Sequence, residues 1–370
     1  MKHIVSVLLG TSLEWEFVRA IVLVFAVAAI WRLIPLRMNG QKRRGKRPNY
    51  LPLFAGVACV ALVAAGAYVY VNGHTSRPAA AIGRPTAKAS SGVVAGTTAD
   101  PGKPDIGVFE PGSTASYTAV RNFASETGQP ARISLYYSGW NDPFQINMAH
   151  WAYQDGGMPF VQMLPYGRSL TSLISGQYDA YLRSFASAVH GYQHPVLIGF
   201  APEMNGSWYD WGNGHTSPKV YVAAWQHVVN VFRAEHADNV IWVWTVNSIN
   251  ASSAPLKQWW PGASYVTWVG IDGYYYHPSD TFNSVFGTTI KEISSFTNKR
   301  VLISETAIGP NSAKVSQLNG LFDGVEQYRL LGFVWFDQAQ DDPPYHQDWR
   351  LADDRALQSL FRTDAARIGG

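Results

Sequence analysis

Two glutamates at the ends of apolar segments are the residues of this chain best placed to do chemistry. Glu203 follows the apolar segment 196–201, and Glu305 closes the segment 300–305. A carboxylate at the end of an apolar strand needs a reason, because burying an unpaired charge is costly. Either each glutamate is structural, paired with an arginine or capping a loop, or the two act together in catalysis. The occurrence of two such residues favours catalysis.

Paired carboxyl groups are the machinery of glycoside hydrolysis. In the retaining reaction the two groups lie about 5–5.5 Å apart across the scissile bond. One protonates the leaving oxygen, and the other attacks the anomeric carbon to form a glycosyl-enzyme. Strand ends on opposite sides of a barrel mouth would provide that separation, and the reaction calls for no cofactor and no metal.

The elements that must position these glutamates alternate between strand and helix patterns from Asp105 onward. The β-rich runs are 106–109, 132–137, 159–164, 196–201, 240–246, 266–272, 300–305 and 333–337. The clearest helical patterns are 178–190, 219–236, 314–329 and 355–362. Such alternation predicts an α/β fold of parallel strands, and eight units predict a (β/α)₈ barrel, with functional residues where strands end. An open doubly wound sheet is the alternative, but the sequence lacks the Gly-rich phosphate loop typical of it.

The run EMNGSWYDWG, residues 203–212, resembles the acid/base motif of glycoside hydrolase family 26. That family contains β-mannanases, with some β-glucanases and β-xylanases, built on a (β/α)₈ barrel. Its acid/base and nucleophile lie on strands four and seven. The resemblance extends from about residue 105 to the C-terminus. Further matching runs, in the expected order, are GIDGYY (270–275), LISET (302–306), VWF (334–336) and DWRL (348–351).

The resemblance implies roles for seven residues, with Glu203 as the acid/base and Glu305 as the nucleophile. The implied substrate-binding residues are Asn205, Trp208, Asp272, Tyr274 and Trp335. Trp208 would be an aromatic platform near the cleavage point, and Trp335 would lie under the sugar at the −1 position. Tyr274 would donate a hydrogen bond to Glu305 and hold it ionised at neutral pH, whereas the pKa of Glu203 would be raised.

Two positions depart from the family pattern. The family usually has a histidine just before the acid/base glutamate, and this chain has Pro202. Phe336 stands where family mannanases tend to carry a polar group. Both departures weaken the expectation of mannan as substrate and leave the cleavage chemistry intact. Beside the motif, Asn205 would orient a substrate hydroxyl or its own loop, and Asp272 would end strand six.

An apolar run near the N-terminus predicts a membrane anchor. Residues 51–71 carry no charge and are long enough to cross a bilayer, which takes about 20 apolar residues. Residues 17–36 form a second apolar run, with a signal-peptide-like segment as the alternative. Between them, 37–47 holds six basic residues and no acid, which predicts a cytoplasmic loop.

The N-terminal region, residues 1–71, is therefore expected to be a transmembrane hairpin. Residues 72–104, rich in Ala, Gly, Pro, Ser and Thr, are expected to form a flexible tether. The domain 105–370 would then lie outside the cytoplasm at the cell membrane. A nucleic-acid-binding arm is the alternative interpretation of the basic run, but its position between two apolar spans argues against a nucleic-acid partner.

The remaining composition excludes other chemistries. Cys59 is the only cysteine, so no intramolecular disulfide and no cysteine-based metal site can form. The histidines show no metal-ligand spacing. The acidic residues after the eighth strand are either calcium ligands or solvated side chains, and we favour solvation; they are Asp341, Asp342 and Asp348.

The leading hypothesis is a retaining endo-β-glycanase that hydrolyses a β-linked polysaccharide, either a β-mannan or a β-glucan. The alternative is a catalytically silent barrel that binds polysaccharide within a membrane-associated exopolysaccharide synthesis or export complex. A third possibility is a scaffold whose barrel mediates only protein contacts. The presence of both glutamates favours the enzyme, since a binding module has no need of a carboxylate pair.

Overall fold

The structure is a computed structural model that describes residues 103–250, 253–340, 346–351 and 354–369. The predicted membrane segments, and all but the end of the predicted tether, lie outside the described residues. Within the part of the chain that is described, none of the helices is long and apolar enough to cross a membrane. The anchor therefore stays a prediction from the sequence.

Eight parallel strands in the described residues close into a barrel in chain order, with β8 paired to β1. The strands are β1 (Asp105–Phe109), β2 (Ile133–Gly139), β3 (Met158–Leu164), β4 (Val196–Phe200), β5 (Val240–Asn247), β6 (Trp268–Asp272), β7 (Val301–Thr306) and β8 (Gly332–Phe336). The predicted (β/α)₈ barrel is confirmed. Each predicted strand matches an observed one to within two residues at either end.

Helices cover the outside of the barrel. They are α1 (Thr118–Thr127), α2 (Ile146–Gln154), α3 (Leu170–Ile174), α4 (Asp179–Tyr192), α5 (Pro218–Ala234), α6 (Thr288–Ser294), α7 (Lys314–Gln327) and α8 (Arg355–Gly369). A 3₁₀ turn, Leu256–Trp259, replaces a full helix between β5 and β6, and one π-helical turn, Asn283–Gly287, precedes α6. After β8, a short antiparallel pair joins β9 (Ala339–Gln340) to β10 (Gln347–Asp348).

Helix α5 illustrates how local sequence produces these elements. The side chain of Ser217 accepts a hydrogen bond from the Val220 N–H, and Pro218 occupies the first turn, where its missing N–H has no consequence. Apolar side chains then recur at helical spacing on the face turned toward the barrel. The fully buried members of this face include Tyr221, Trp225, Val228 and Phe232.

Alternation along each strand separates two apolar layers. One set of side chains points into the barrel and forms its own cluster, which includes Leu135, Leu197, Val243, Leu302 and Val334. The intervening side chains, such as Ile303 and Phe333, belong to the larger cluster between strands and helices. Because side chains alternate with a period of two, a shift of one residue exchanges the barrel interior for the helix layer.

Gly332 closes the barrel at the N-terminal end of β8. Its φ is +136°, a conformation that favours glycine, and a Cβ there would lie 1.8 Å from the carbonyl oxygen of Asp105. The Asp105 N–H donates to the Leu331 carbonyl at 2.7 Å. The absence of a side chain at this position thus lets β1 and β8 approach and pair.

A polar layer lies above the apolar interior, directly below the C-terminal strand ends. The Gln162 side chain donates to Thr245 Oγ1 at 2.9 Å inside the barrel. Two glycines make room for this layer, since a Cβ at Gly199 would lie 2.0 Å from Gln162 Oε1 and one at Gly270 would lie 2.6 Å from Ser304 Oγ. The barrel is therefore apolar at its base and hydrogen-bonded near its mouth.

Candidate active site

A cleft of about 820 Å³ opens at the C-terminal ends of the barrel strands. The predicted site residues that line it are Glu203, Trp208, Asp272, Tyr274 and Glu305. The other two, Asn205 and Trp335, are fully buried and take no part in the lining that the described residues form. Two carboxylates predicted from separate strand ends thus lie in one cavity.

Glu203 lies in a sharply bent backbone just past the end of β4. Ala201 and Glu203 have φ values of +47° and +58°, a left-handed conformation that side chains other than glycine rarely adopt. Neighbouring strands hold the bend, because the Ala201 N–H donates to the Met163 carbonyl and the Glu203 N–H donates to the Thr245 carbonyl. Strained backbone of this kind persists where the surroundings determine it, and it is common at functional sites.

Both oxygens of the Glu203 carboxyl accept hydrogen bonds. Asn247 Nδ2, at the end of β5, donates to Oε1 at 2.6 Å, and Trp208 Nε1 donates to Oε2 at 2.8 Å. Burial raises the pKa of Glu203, whereas the bonds from Asn247 and Trp208 lower it, and the net shift is upward. This is the direction expected for a group that delivers a proton near neutral pH.

Glu305 lies within β7, where the pairing register with β6 shifts just before it and the register with β8 shifts between Ile303 and Thr306. Such irregularities re-aim side chains and are frequent next to active sites. Tyr137 donates its hydroxyl to Glu305 Oε1 at 2.5 Å, and Tyr274 donates to Oε2 at 2.8 Å. The hydrogen bond predicted from Tyr274 is therefore present, and a second phenol matches it on the other oxygen.

The two carboxyl groups titrate as a pair. Burial, followed by the charge on Glu203, raises the pKa of Glu305 to about 8, although the Tyr137 and Tyr274 hydrogen bonds lower it. The charge on Glu203 acts only while that carboxyl is ionised, so this pKa describes loss of the last proton of the pair. Near neutral pH the pair therefore retains one proton. From the sequence, Glu305 was expected to be ionised at neutral pH. Its raised pKa corrects that expectation, because Glu305 is ionised only when Glu203 holds the proton that the pair retains.

Asp272, at the end of β6, is a third buried carboxyl group facing the cleft. Its Oδ1 accepts a hydrogen bond from Ser304 Oγ at 2.6 Å, and its buried Oδ2 has no partner among the described residues. Burial, then the charges of Glu305 and Glu203, raise the pKa of Asp272 well above its usual range. The neutral acid is therefore favoured, and it places a hydrogen-bond donor beside Glu305 without a further negative charge.

Aromatic rings form the side of the cleft nearest β1 and β8. Phe109 stacks on Phe336 at 4.7 Å between ring centroids, and Tyr137 contacts Phe109 edge-on at 5.0 Å. Tyr274 contacts the ring of Trp349 at 4.9 Å. Flat apolar rings beside paired carboxyl groups suit the apolar faces of sugar rings.

The described residues do not gather three His, Cys, Asp or Glu side chains that could hold a metal ion. Asp348, one of the acids weighed as a calcium ligand, forms an ion pair with Arg350 at 2.8 Å. Asp341 and Asp342 lie outside the described residues.

Comparison with known proteins agrees with this geometry. The sequence profile of glycosyl hydrolase family 26 matches residues 170–364, more than half of the chain. The chain belongs to glycosyl hydrolase family 26. The match includes both glutamates and ends within α8.

Similar proteins carry several activities in their names. Endoglucanase H of Acetivibrio thermocellus is 27% identical over 270 residues, an alignment covering 68% of this chain but only 29% of that protein. A mannan endo-1,4-β-mannosidase of Bacillus subtilis is 25% identical over 291 residues, covering 67% of this chain and 75% of that protein. A modular endo-β-1,4-mannanase of Cellulomonas fimi shares the fold, with a TM-score of 0.58 at 17% identity over 72% of this chain and 71% of that one.

Trp335 does not lie under a sugar, and that prediction is wrong. Its side chain is fully buried, its Nε1 donates to the Trp349 carbonyl at 3.1 Å, and its ring contacts Phe361 of α8. The strand period of two explains the error, since Trp335 points to the helices and the next residue, Phe336, points into the cleft. Phe336 and Trp349 line the cleft instead.

Asn205 does not face substrate either, and only the second of its two predicted roles is retained. Its Nδ2 donates to the Asn247 carbonyl at 2.8 Å, and its Oδ1 accepts from the Asn247 N–H at 2.9 Å. Both ends of the side chain are therefore used by the backbone of one residue. Since Asn247 in turn donates to Glu203, Asn205 supports Glu203 from behind the cleft wall.

Among the cleft residues that were not predicted from the sequence are Phe109, Tyr137, Asn247 and Trp349. Tyr137 ended the predicted second strand, and Asn247 follows the predicted fifth strand directly. A search of every strand end for polar side chains would have found both. Trp349 had a weaker signal, because it comes from the segment after β8 rather than from a strand end.

Proposed function

We propose that the barrel is a retaining endo-β-glycanase with Glu203 as acid/base and Glu305 as nucleophile. The observation that carries the proposal is the carboxyl pair: both groups line one cleft, and each accepts two side-chain hydrogen bonds. Burial raises the pKa of both Glu203 and Glu305, which favours a proton held by the pair near neutral pH. One proton on two carboxyl groups supplies an acid and a nucleophile at once.

The first step begins with Glu203 protonated and Glu305 ionised. Glu203 transfers its proton to the glycosidic oxygen while a Glu305 oxygen attacks the anomeric carbon, the leaving group departs, and a glycosyl-enzyme forms. In the second step Glu203 takes a proton from water, whose oxygen attacks the same carbon and releases Glu305. Tyr137 and Tyr274 fix the two oxygens of Glu305 between these steps.

The proposed substrate is a β-mannan or a β-glucan. The name of the Bacillus subtilis relative supports a mannan, and that of the Acetivibrio thermocellus relative supports a glucan. The open aromatic cleft suits internal segments of a polymer. Pro202 and Phe336 both line the cleft, and neither side chain offers a hydrogen bond to a sugar hydroxyl. This lining weakens the case for mannan relative to glucan.

Hydrolysis assays on a panel of β-mannan, β-1,4-glucan, mixed-linkage β-glucan and β-xylan would test the function. We expect the full chain to release oligosaccharides from at least one polymer, with the β-anomer appearing first by NMR, and the matched Glu203→Ala and Glu305→Ala variants to lose that activity. First appearance of the α-anomer would disprove retention. Binding of a polymer without release of reducing ends would favour the silent polysaccharide-binding barrel.

We also propose that residues 17–36 and 51–71 anchor the enzyme in the cell membrane with the barrel outside the cytoplasm. The uncharged length of 51–71 and the basic residues of 37–47 support this topology. An external protease added to intact cells should then release the barrel. Protection of the barrel in intact cells, with digestion after lysis, would reverse the orientation. Association with a polysaccharide synthesis or export complex stays a prediction.

A further inference from the structure

A second cavity of about 400 Å³ lies beside the cleft and has a polar lining. Its residues come from the segment that leads from β3 into α3 and from the segment between β4 and α5. The polar side chains used in the argument below are Arg168, Asp210 and His215. None of them takes part in the mechanism proposed above.

The two cavities share the same two loops. Tyr166 and Tyr209 line the cleft. Arg168, two residues after Tyr166, and Asp210, directly after Tyr209, line the second cavity. The two tyrosine rings contact each other with centroids 5.9 Å apart, and Tyr166 is 51% exposed. The two cavities are therefore formed by the same two loops, and the exposed ring of Tyr166 lies on the cleft side.

Arg168 contributes a positively charged side chain to the wall of the second cavity. Its Nε is buried and has no acceptor among the described residues, while its guanidinium lies 5.8 Å from the centroid of the Tyr178 ring. The planar guanidinium carries further N–H donors besides the shielded Nε, and an oxygen entering the cavity would accept from those. Contact with Tyr178 keeps the guanidinium in the cavity wall.

The lining combines donors with acceptors. The Nε2 of His215 lies 3.0 Å from the Ser207 carbonyl, which can only accept, so Nε2 carries the hydrogen and Nδ1 of the neutral ring is an acceptor. Asp210 adds a carboxylate opposite in charge to Arg168. Sugar hydroxyls both donate and accept, and they satisfy such a mixed lining. The charges of Asp210 and Arg168 balance, so these two side chains give the lining no net charge that would favour an acidic sugar over a neutral one.

We propose that this second cavity is an outer subsite for a neutral sugar of the same polymer chain whose cleavage takes place in the cleft. The chain would stack on Tyr166 as it leaves the cleft and place its next sugar against Arg168, Asp210 and His215. The inference rests on the proposed function and adds to it a preference for long, neutral substrates.

Two variants and a matched control test the outer subsite in the full chain. Arg168→Ala removes the guanidinium donors and Tyr166→Ala removes the exposed ring. Tyr153→Ala is the control, because Tyr153 is 49% exposed and stacks on His194 but belongs to neither lining that the described residues form. The measured quantity is the ratio of kcat/KM for a β-1,4-linked manno- or glucohexaose to kcat/KM for an aryl β-disaccharide of the same sugar.

We expect Arg168→Ala and Tyr166→Ala each to lower this ratio about tenfold, mainly through KM for the hexasaccharide, with no change for Tyr153→Ala. An unchanged ratio in both variants would overturn the subsite. Arg168→Lys replaces Arg168→Ala if thermal unfolding shows that the alanine variant is not folded, and it is expected to lower the ratio as well, because the planar fork of donors is lost.

Calorimetric binding separates this proposal from the proposed function. Glu305→Ala, alone and combined with Arg168→Ala, is titrated with mannohexaose, cellohexaose and a β-1,4-mannuronate hexasaccharide, which differs from mannohexaose in its carboxylates. Weaker binding of a neutral hexasaccharide by the double variant than by Glu305→Ala supports the subsite. If the unmodified chain hydrolyses nothing, that failure counts against the proposed function and not against the subsite. Equal binding by both variants, or tightest binding of the mannuronate, overturns the subsite as assigned.

Discussion

The ends of β4 and β7 carry the same side chain in two different settings. Glu203 lies on a bent loop with left-handed backbone, and its hydrogen-bond donors are an amide and an indole. Glu305 lies within a strand, and its donors are two phenols. Of the four donors, only Trp208 is on an exposed loop, since its side chain is 50% exposed.

This difference matches the two proposed roles. A nucleophile must stay aimed at one carbon. Both oxygens of Glu305 accept hydrogen bonds from residues that lie in a barrel strand or close to the end of one. An acid/base must exchange a proton with a leaving group and then with water, so one of its oxygens must become available. Glu203 keeps a firm bond to Asn247 and a second bond to a residue that substrate can reach. The settings of the two side chains, rather than their residue type, therefore support the proposed roles.

Replacing Glu305 should give the largest effect. Glu305→Ala removes the nucleophile, so we expect kcat/KM to fall by roughly four orders of magnitude or more on every substrate, whatever the leaving group. The measurement is hydrolysis of the polymer and of aryl glycosides in parallel. Azide, if it restores activity, should enter from the vacated face and give a product of inverted configuration.

Replacing Glu203 should give an effect that depends on the leaving group. We expect Glu203→Ala to lower kcat/KM by about 10²–10⁴-fold on polymer, which needs a proton donor. An activated aryl glycoside leaves without a proton, so its first step should survive and the glycosyl-enzyme should accumulate. Azide should then restore turnover and give a β-linked product.

The two variants together decide the assignment. The roles would be exchanged if Glu305→Ala accumulated a glycosyl-enzyme and Glu203→Ala lost activity on all substrates. Full activity of either variant would remove the proposed mechanism. Mass spectrometry of the intact protein during turnover distinguishes these outcomes.

The strands and the positions of the glutamates could be predicted from the sequence because both depend on local patterns. Short apolar runs separated by helical periodicity define the barrel units, and a parallel barrel leaves their C-terminal ends on one face. Glu203 and Glu305 stood out because each follows such a run. The helix α8 extended further than predicted, to Gly369, since its buried positions continue beyond Arg362.

The contacts between strand ends could not be predicted in the same way. Tyr137 and Glu305 are 168 residues apart in the chain, and only closure of the barrel brings them to 2.5 Å. The error at Trp335 came from side-chain direction, which a shift of one residue reverses. The role of Asn205 depends on the backbone of Asn247, and no sequence pattern shows that pairing.

A pH profile sharpens the comparison through the phenols. We expect a bell-shaped kcat/KM, with an alkaline limb near pH 8 where the pair loses its last proton. Tyr274→Phe removes a hydrogen bond that lowers the pKa of Glu305, so that pKa should rise and the acidic limb, where Glu305 ionises beside protonated Glu203, should move to higher pH by roughly one unit. Movement to lower pH, or no movement, would show that Tyr274 does not stabilise the ionised nucleophile.

The smallest effect on catalysis is expected at Trp208, and Trp335 is its matched control. Trp208→Ala should weaken oligosaccharide binding by roughly tenfold and leave thermal unfolding unchanged, because the side chain is half exposed. Trp208→Phe keeps a ring but loses the indole N–H, so it should retain more of that affinity while raising the pKa of Glu203 and the alkaline limb. Trp335→Ala should instead destabilise the fold by about 3–5 kcal/mol, since its ring fills the core beside α8. Calorimetric binding and thermal unfolding of the three variants measure these effects, and equal loss of stability in Trp208→Ala and Trp335→Ala would make Trp208 a packing residue.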